Sequence, residues 1–151
     1  MKENLELIRE LTNEMMDSIS YADKITSLTD IEFMVGNEEG MTIEQIVPDL
    51  IPTDAASLET IRRKAYMKPH IAERLVSKDG TLSWIILKLR TFPKDSVWNK
   101  GKNAVSPEVL TGNELEHIIT KDKYQKLHPK GTGLPYVTAM KMKWIGKEMP
   151  R

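Results

Sequence analysis

Apolar positions recur along this chain with two different periods, and the change of period marks its elements. Leu5, Ile8, Leu11, Met15 and Ile19 are spaced by 3, 3, 4 and 4 residues, with Glu6, Arg9, Glu10, Asn13, Glu14 and Asp17 between them. That is one face of an amphipathic helix. Asn4 is its expected N-cap, and Glu6 falls in the first turn, where negative charge suits the helix dipole. Ser18-Ile19-Ser20-Tyr21 ends it. A helix with one apolar stripe must lie on another element, here expected to be a sheet. Period two follows: Ile25, Ser27, Thr29, Ile31, Phe33 and Val35 share one side, and Thr26, Asp30 and Glu32 take the other. Leu28 and Met34 are exceptions, and the pattern over Ile25–Val35 predicts a strand with one buried face. Gly36-Asn37-Glu38-Glu39-Gly40 stops it with turn chemistry.

Met41–Leu50 fits either a short strand or a single turn, bracketed by Pro48 and Pro52. Thr53 or Asp54 caps a helix through about Met67, with Leu58 and Ile61 inside and Arg62-Arg63-Lys64 solvated. Pro69 breaks or restarts it, and Ile71 to Leu75 lead to the sharpest local signal. There, Asp79-Gly80 between two apolar runs predicts a β-hairpin turn, since both residues tolerate positive φ. Its second arm, Leu82–Leu89, places Ile85, Leu87 and Leu89 on one face and Lys88 on the other, as in an interior strand. Ile25–Val35 and Leu82–Leu89 are expected in one antiparallel sheet, with Ile31, Phe33, Ile85, Leu87 and Leu89 facing the first helix. Residues 94–112 carry little periodicity and read as a loop, with Val97, Trp98, Val105, Val109 and Leu110 able to pin it. A short helix is expected over Asn113–Lys126. After Gly131-Thr132-Gly133-Leu134-Pro135, the Tyr136–Met149 segment puts Val137, Met140, Trp144 and Ile145 on one helical face. The order of elements is α+β.

The 151 residues amount to one domain's worth of chain. The longest apolar run, Trp84–Leu87, is four residues, against roughly 20 for a membrane helix. No signal peptide is expected behind Met1-Lys2-Glu3-Asn4. With no Cys, thiolate chemistry and disulfides are excluded. Formal net charge is zero, yet residues 1–90 carry 11 basic and 16 acidic side chains and residues 91–151 carry 11 and 6. The chain is thus a −5 segment followed by a +5 segment, and the basic part either solvates its own surface or faces an anionic one.

No constellation of catalytic residues stands out. His70, His117 and His128 lack convergent partners at metal-ligand spacing, apart from Glu73 three residues after His70. Neither a nucleophile elbow nor a P-loop is present, and Gly131-Thr132-Gly133 is only a fragment of a dinucleotide fingerprint. Glu38 and Glu39 are adjacent and point apart in a turn. An enzyme is not expected, and neither a metal nor a cofactor is expected. The nine Met residues are scattered as core fillers usually are. Phe33 and Trp84 stand alone, without the aromatic pattern of an RNA-reading strand, so no nucleic-acid partner is expected.

Taken in order, several short motifs resemble a soluble periplasmic (porter) loop of resistance–nodulation–division (RND) superfamily exporters, of the hydrophobe/amphiphile efflux or MMPL-like kind. They are Leu5, Ile8, Leu11 and Thr12 in the helix, Ser27-Leu28-Thr29, the acidic turn Gly36 to Gly40, Leu75-Val76-Ser77-Lys78-Asp79-Gly80, and Gly133-Leu134-Pro135. The resemblance covers residues 3 to 149. It implies a ferredoxin-like βαββαβ porter subdomain, spanning 1–151 as a single domain, with an insertion at about 36–74 and the loop at about 94–112. The family's first strand would precede Asn4, and its absence would leave an open sheet edge and favour self-association into a homo-oligomer. The resemblance implies no catalytic residue and assigns no substrate-binding residue. Its partners would be the membrane-embedded remainder of a proton-driven exporter and an amphiphilic or lipid-like substrate, on the periplasmic side of a bacterial inner membrane. The alternative is a stand-alone cytoplasmic ferredoxin-like domain with a binding or regulatory role.

Overall fold

The computed structural model describes residues 2–72, 74–101 and 104–148. In chain order the helices and strands are α1 (Lys2–Ser18), β1 (Ala22–Thr26), β2 (Glu32–Asn37), β3 (Gly40–Gln45), α2 (Ala55–Met67), α3 (Pro69–Ala72), β4 (Ile86–Leu89), α4 (Asp95–Trp98), α5 (Pro107–Ile119), a 3-10 segment (Asp122–Leu127) and α6 (Leu134–Glu148). The protein is mixed α+β with two small antiparallel sheets, β1–β4 and β2–β3. It gathers into two compact units, Met1–Thr12 with Lys24–Leu87, and Asn13–Asp23 with Lys88–Arg151. Glu73, Lys102, Asn103 and Met149 lie outside the described residues, as do the side chains of His70 and Lys147.

In the first unit the core joins Leu5 of α1 to Ile46, Val47 and Ile51, to Ile61 and Ala65 of α2, and to Ile71 and Leu75. Ile31 and Phe33 are half-buried against this cluster. The predicted stripe of α1 is real, and Leu5, Leu11, Met15 and Ile19 are all buried. Its start is one correction: the helix is already formed at Lys2, so Asn4 is not a cap. The Arg9 guanidinium donates to three successive carbonyls, Val47 (3.2 Å), Pro48 (2.8 Å) and Asp49 (2.7 Å). A proline-bracketed segment cannot join a ladder fully, so its carbonyls need such a donor.

The single strand expected over Ile25–Val35 is two strands in different sheets. Asp30 N–H donates to the Ser27 carbonyl at 3.1 Å, turning the chain between β1 and β2. Three buried hydroxyls hold the turn: Thr12 Oγ1 shares its proton between the Ile8 carbonyl (2.7 Å) and Ser27 Oγ (3.1 Å), and Thr29 Oγ1 lies 3.1 Å from Ser27 Oγ. Alternation persisted across the break because the turn keeps Ser27 and Thr29 inside with Ile25, so polarity alone did not reveal it. The ambiguous stretch after Gly40 is β3, paired with β2 so that Met34 opposes Ile43 and Gly36 opposes Met41.

The Asp-Gly turn forms, by a different route from the one expected. Gly80 alone takes positive φ, at 72°, while the Asp79 carboxylate acts as an acceptor. One oxygen of Asp79 takes protons from Ser77 Oγ (2.7 Å), Thr81 Oγ1 (2.7 Å) and Thr81 N–H (3.1 Å), and Tyr66 Oη donates to the Ser77 carbonyl at 2.8 Å. These bonds from Ser77 and Thr81 hold the Asp79 carboxyl down at about 2. Across the turn only Val76 and Ser83 bridge, and the second arm is a strand only from Ile86. The predicted alternation is kept, with Leu87 and Leu89 half-buried and Lys88 exposed. The interior position is not: β4 pairs with β1 alone, and Trp84 and Ile86 are exposed.

In the second unit the expected loop 94–112 contains α4 and the first half of α5. Ser106 caps α5 by accepting from Val109 N–H at 3.2 Å, and Pro107 occupies its first turn, where a missing N–H costs nothing. The helix stops at Ile119 rather than near Lys126. Against it lies α6, which buries Ala139 fully and leaves exposed Val137, Trp144 and Ile145, read from the sequence as part of one helical face. The reason is close approach: a Cβ on Gly112 would sit 2.3 Å from the Pro135 carbonyl oxygen and 2.5 Å from Ala139 Cβ. Small residues, not large ones, make this contact.

Gly112→Ala is therefore expected to destabilise the protein by about 1–3 kcal/mol, as overpacking does. Gly36→Ala, where an added Cβ meets nothing within 4 Å, serves as the control. Chemical denaturation followed by circular dichroism compares the two, and an unchanged midpoint for Gly112→Ala would count against this packing. Acid titration tests the turn. Because the Asp79 value is depressed from 3.8 to about 2, its stabilising effect is present above pH 3.8 and is lost as pH falls through about 2. Asp79→Asn should flatten that part of the stability–pH curve.

Candidate functional site

The second unit contains the densest polar cluster of the described residues. Glu14, in α1, receives the Lys121 ammonium and the Tyr124 hydroxyl, with Lys123 Nζ 3.7 Å from its second oxygen. Tyr124 is fully buried in the 3-10 segment, and Lys123 Nζ lies 5.0 Å from its ring centroid. Burial works to raise the Glu14 value, but the bonds from Lys121 and Tyr124 and the charges of Lys123 and Lys121 prevail and leave it below the ordinary one. Burial, then the bond to Glu14, push Tyr124 up to about 12. This is a tether between helix and 3-10 segment. It sets one carboxylate against two ammonium groups and a phenol hydroxyl.

A shallow cleft of ≈ 330 Å³ lies nearby in the same unit, lined by Ser18 of α1 and by Asn113, Glu114, His117 and Ile118 of α5. Helical spacing places Asn113, Glu114 and His117 on one side of α5. Glu114 is already engaged, accepting from Ser20 Oγ (2.8 Å) and Ser20 N–H (3.2 Å). Asn113 Oδ1 is buried without a hydrogen-bond partner, so the cleft offers one acceptor, an exposed imidazole and the apolar wall of Ile118. Such a surface can take up a small donor or a water; it holds no paired nucleophile and base. Of the polar residues here the sequence singled out only His117, as a histidine without convergent partners. Their only signal was the i, i+4 spacing of Asn113 and His117, and the contribution of Ser18 comes from the fold.

The three histidines fall on different elements. His70 is in α3, His117 is exposed at the cleft, and His128 closes the 3-10 segment in the left-handed region at φ 50°. Among the described residues no group of three or more His, Asp or Glu side chains could hold a metal ion. No helix of the described residues is long and apolar enough to cross a membrane. Compared with known protein families, curated proteins and solved structures, the chain has no match.

The tether yields a stability prediction. Tyr124→Phe should cost about 1.5–3 kcal/mol, the range for a hydrogen bond to a charged partner. The Tyr124 value is raised from 10.0 to about 12, so its contribution is whole below pH 10 and disappears as pH rises through about 12. Alkaline unfolding of the native protein and of Tyr124→Phe should therefore converge above that range, and a constant difference between them would contradict the tether.

Proposed function

We propose that this chain is an extracytoplasmic portion of a proton-driven exporter of the RND type, shaping part of a path for amphiphilic or lipid-like substrate. Its partner in that role is the membrane-embedded remainder of the exporter, and its own part is mechanical rather than catalytic. The observation that carries the proposal is the order α1–β1–β4–α5 with β1 and β4 paired. That order is compatible with the helix–strand–strand–helix centre of a ferredoxin-like βαββαβ subdomain, with β2, β3, α2 and α3 read as an insertion between its two strands.

The motifs behind the resemblance also have interlocking roles. Thr12 of the helix motif bonds Ser27 of the Ser27-Leu28-Thr29 motif, and Ser77, Asp79 and Gly80 together build one turn. A set of residues that forms a frame is what a family of conduits with varied cargo would share, since the cargo would be met by other, freely changing surfaces.

The absence of Cys makes location directly testable. Lys78→Cys, in the exposed turn, would be introduced into the gene at its chromosomal position, and intact cells treated with a membrane-impermeant maleimide. Labelling of the variant before the inner membrane is opened, with none of the unsubstituted protein at the same size, is the expected result. Labelling only after lysis would reject the exporter and return the cytoplasmic binding or regulatory domain.

A further inference from the structure

Helix α6 has two unlike sides. Ala139 is fully buried beside Gly112, and Tyr136 Oη donates to Glu116 at 2.6 Å, so one side is committed to α5. On the opposite side Leu134, Val137, Trp144 and Ile145 are 71%, 42%, 65% and 42% exposed. Their spacing continues through the exposed Lys141, whereas Met142 and Lys143 are exposed on the same side of the helix as Ala139, three and four residues on. The sequence of α6 carries Lys141, Lys143 and Lys147 against a single acid, Glu148. It lies within the segment of net charge +5.

We infer that this face of α6 docks on an anionic phospholipid surface, with the helix lying in the interface plane. Charge complementarity selects that occupant. An apolar stripe covered by another protein helix is usually free of a central lysine. In a lipid interface, by contrast, lysine stems lie along the acyl boundary while their ammonium groups reach the headgroup phosphates. A tryptophan at the same level is the side chain best suited to that boundary, with an apolar body and one N–H for the wet side. The 15 residues of α6 are long enough to lie along a bilayer surface. The inference concerns the surface of the chain itself and does not rest on the exporter reading, since a peripheral cytoplasmic domain could dock in the same way.

Flotation of the purified full chain with vesicles tests it, using phosphatidylcholine alone and phosphatidylcholine with phosphatidylglycerol. Binding to the anionic vesicles only, weakening as salt is raised, is expected. Lys141→Gln should lower partitioning by about fivefold, and Lys143→Gln, on the side of Ala139, by less. Trp144→Ala should lower it by about tenfold or more, through lost apolar burial. All three positions are exposed, and unchanged circular dichroism shows that the variants are folded. Equal partitioning onto both vesicle types, no partitioning at all, or binding insensitive to Trp144→Ala would overturn the assignment. If flotation fails and Trp144→Ala instead abolishes a concentration-dependent dimer, the face belongs to a second copy of the chain.

Discussion

Two-stranded sheets do not stand alone in water, and the described residues form two of them and no larger one. Everything else in the fold answers that shortage of cover. The chief supply is the apolar stripe of α1, which buries Leu5 and Leu11 in one compact unit and Met15 and Ile19 in the other. In the first unit the helix is joined by residues that a sheet-centred plan would not use: Ile46, Val47 and Ile51 of an irregular segment, and Ile61 and Ala65 of α2. An irregular segment can enter a core only if its backbone groups are satisfied. The fork of Arg9 on three consecutive carbonyls meets that condition, and its cost in side-chain order is set against three unsatisfied acceptors.

Because apolar cover is limited, short polar side chains fix the chain's direction at its corners. Ser27, Thr29 and Thr12 are buried hydroxyls that satisfy one another between β1 and β2. Asp79 organises the next corner from an exposed position, by drawing two hydroxyls and one N–H onto a single oxygen. The two corners work under opposite conditions. The hydroxyl cluster gains from low local dielectric and would be expensive to leave half-made, whereas the Asp79 turn is formed in water and limits which backbone conformations the corner samples.

The parts of the fold legible in the sequence are those governed by local rules. The stripe of α1, the Asp54 cap, which accepts from Ser57 N–H at 2.8 Å, and the alternation of Leu87, Lys88 and Leu89 follow from periodicity and capping alone. What periodicity could not show is where a period is interrupted by a turn that stays in phase, as at Ser27–Asp30. It also weighs large side chains as core and small ones as neutral. That is why Ala139 went unnoticed beside Trp144 and Ile145, and why Val105, Val109 and Leu110 suggested a pinned loop when Ser106-Pro107 already marks a helix start. The cleft at Asn113 and His117 was hidden for a different reason: Ser18 reaches it from the far end of the sequence, and a single buried amide oxygen leaves no pattern.

The side on which α6 is buried is set by small residues. Two helices that meet through Gly112 and Ala139 approach more closely than helices that interlock leucines, and they exclude large side chains from the contact. Once the small residues of α6 are turned inward, helical geometry fixes Leu134, Val137 and Trp144 on the outside. Their exposure is thus a consequence of how α5 and α6 pack, not of a poorly filled core, and the lysine among them keeps that surface wet until something of opposite charge covers it. A single contact between small residues, in this way, determines both the stability of the second unit and the chemistry of the surface it turns outward.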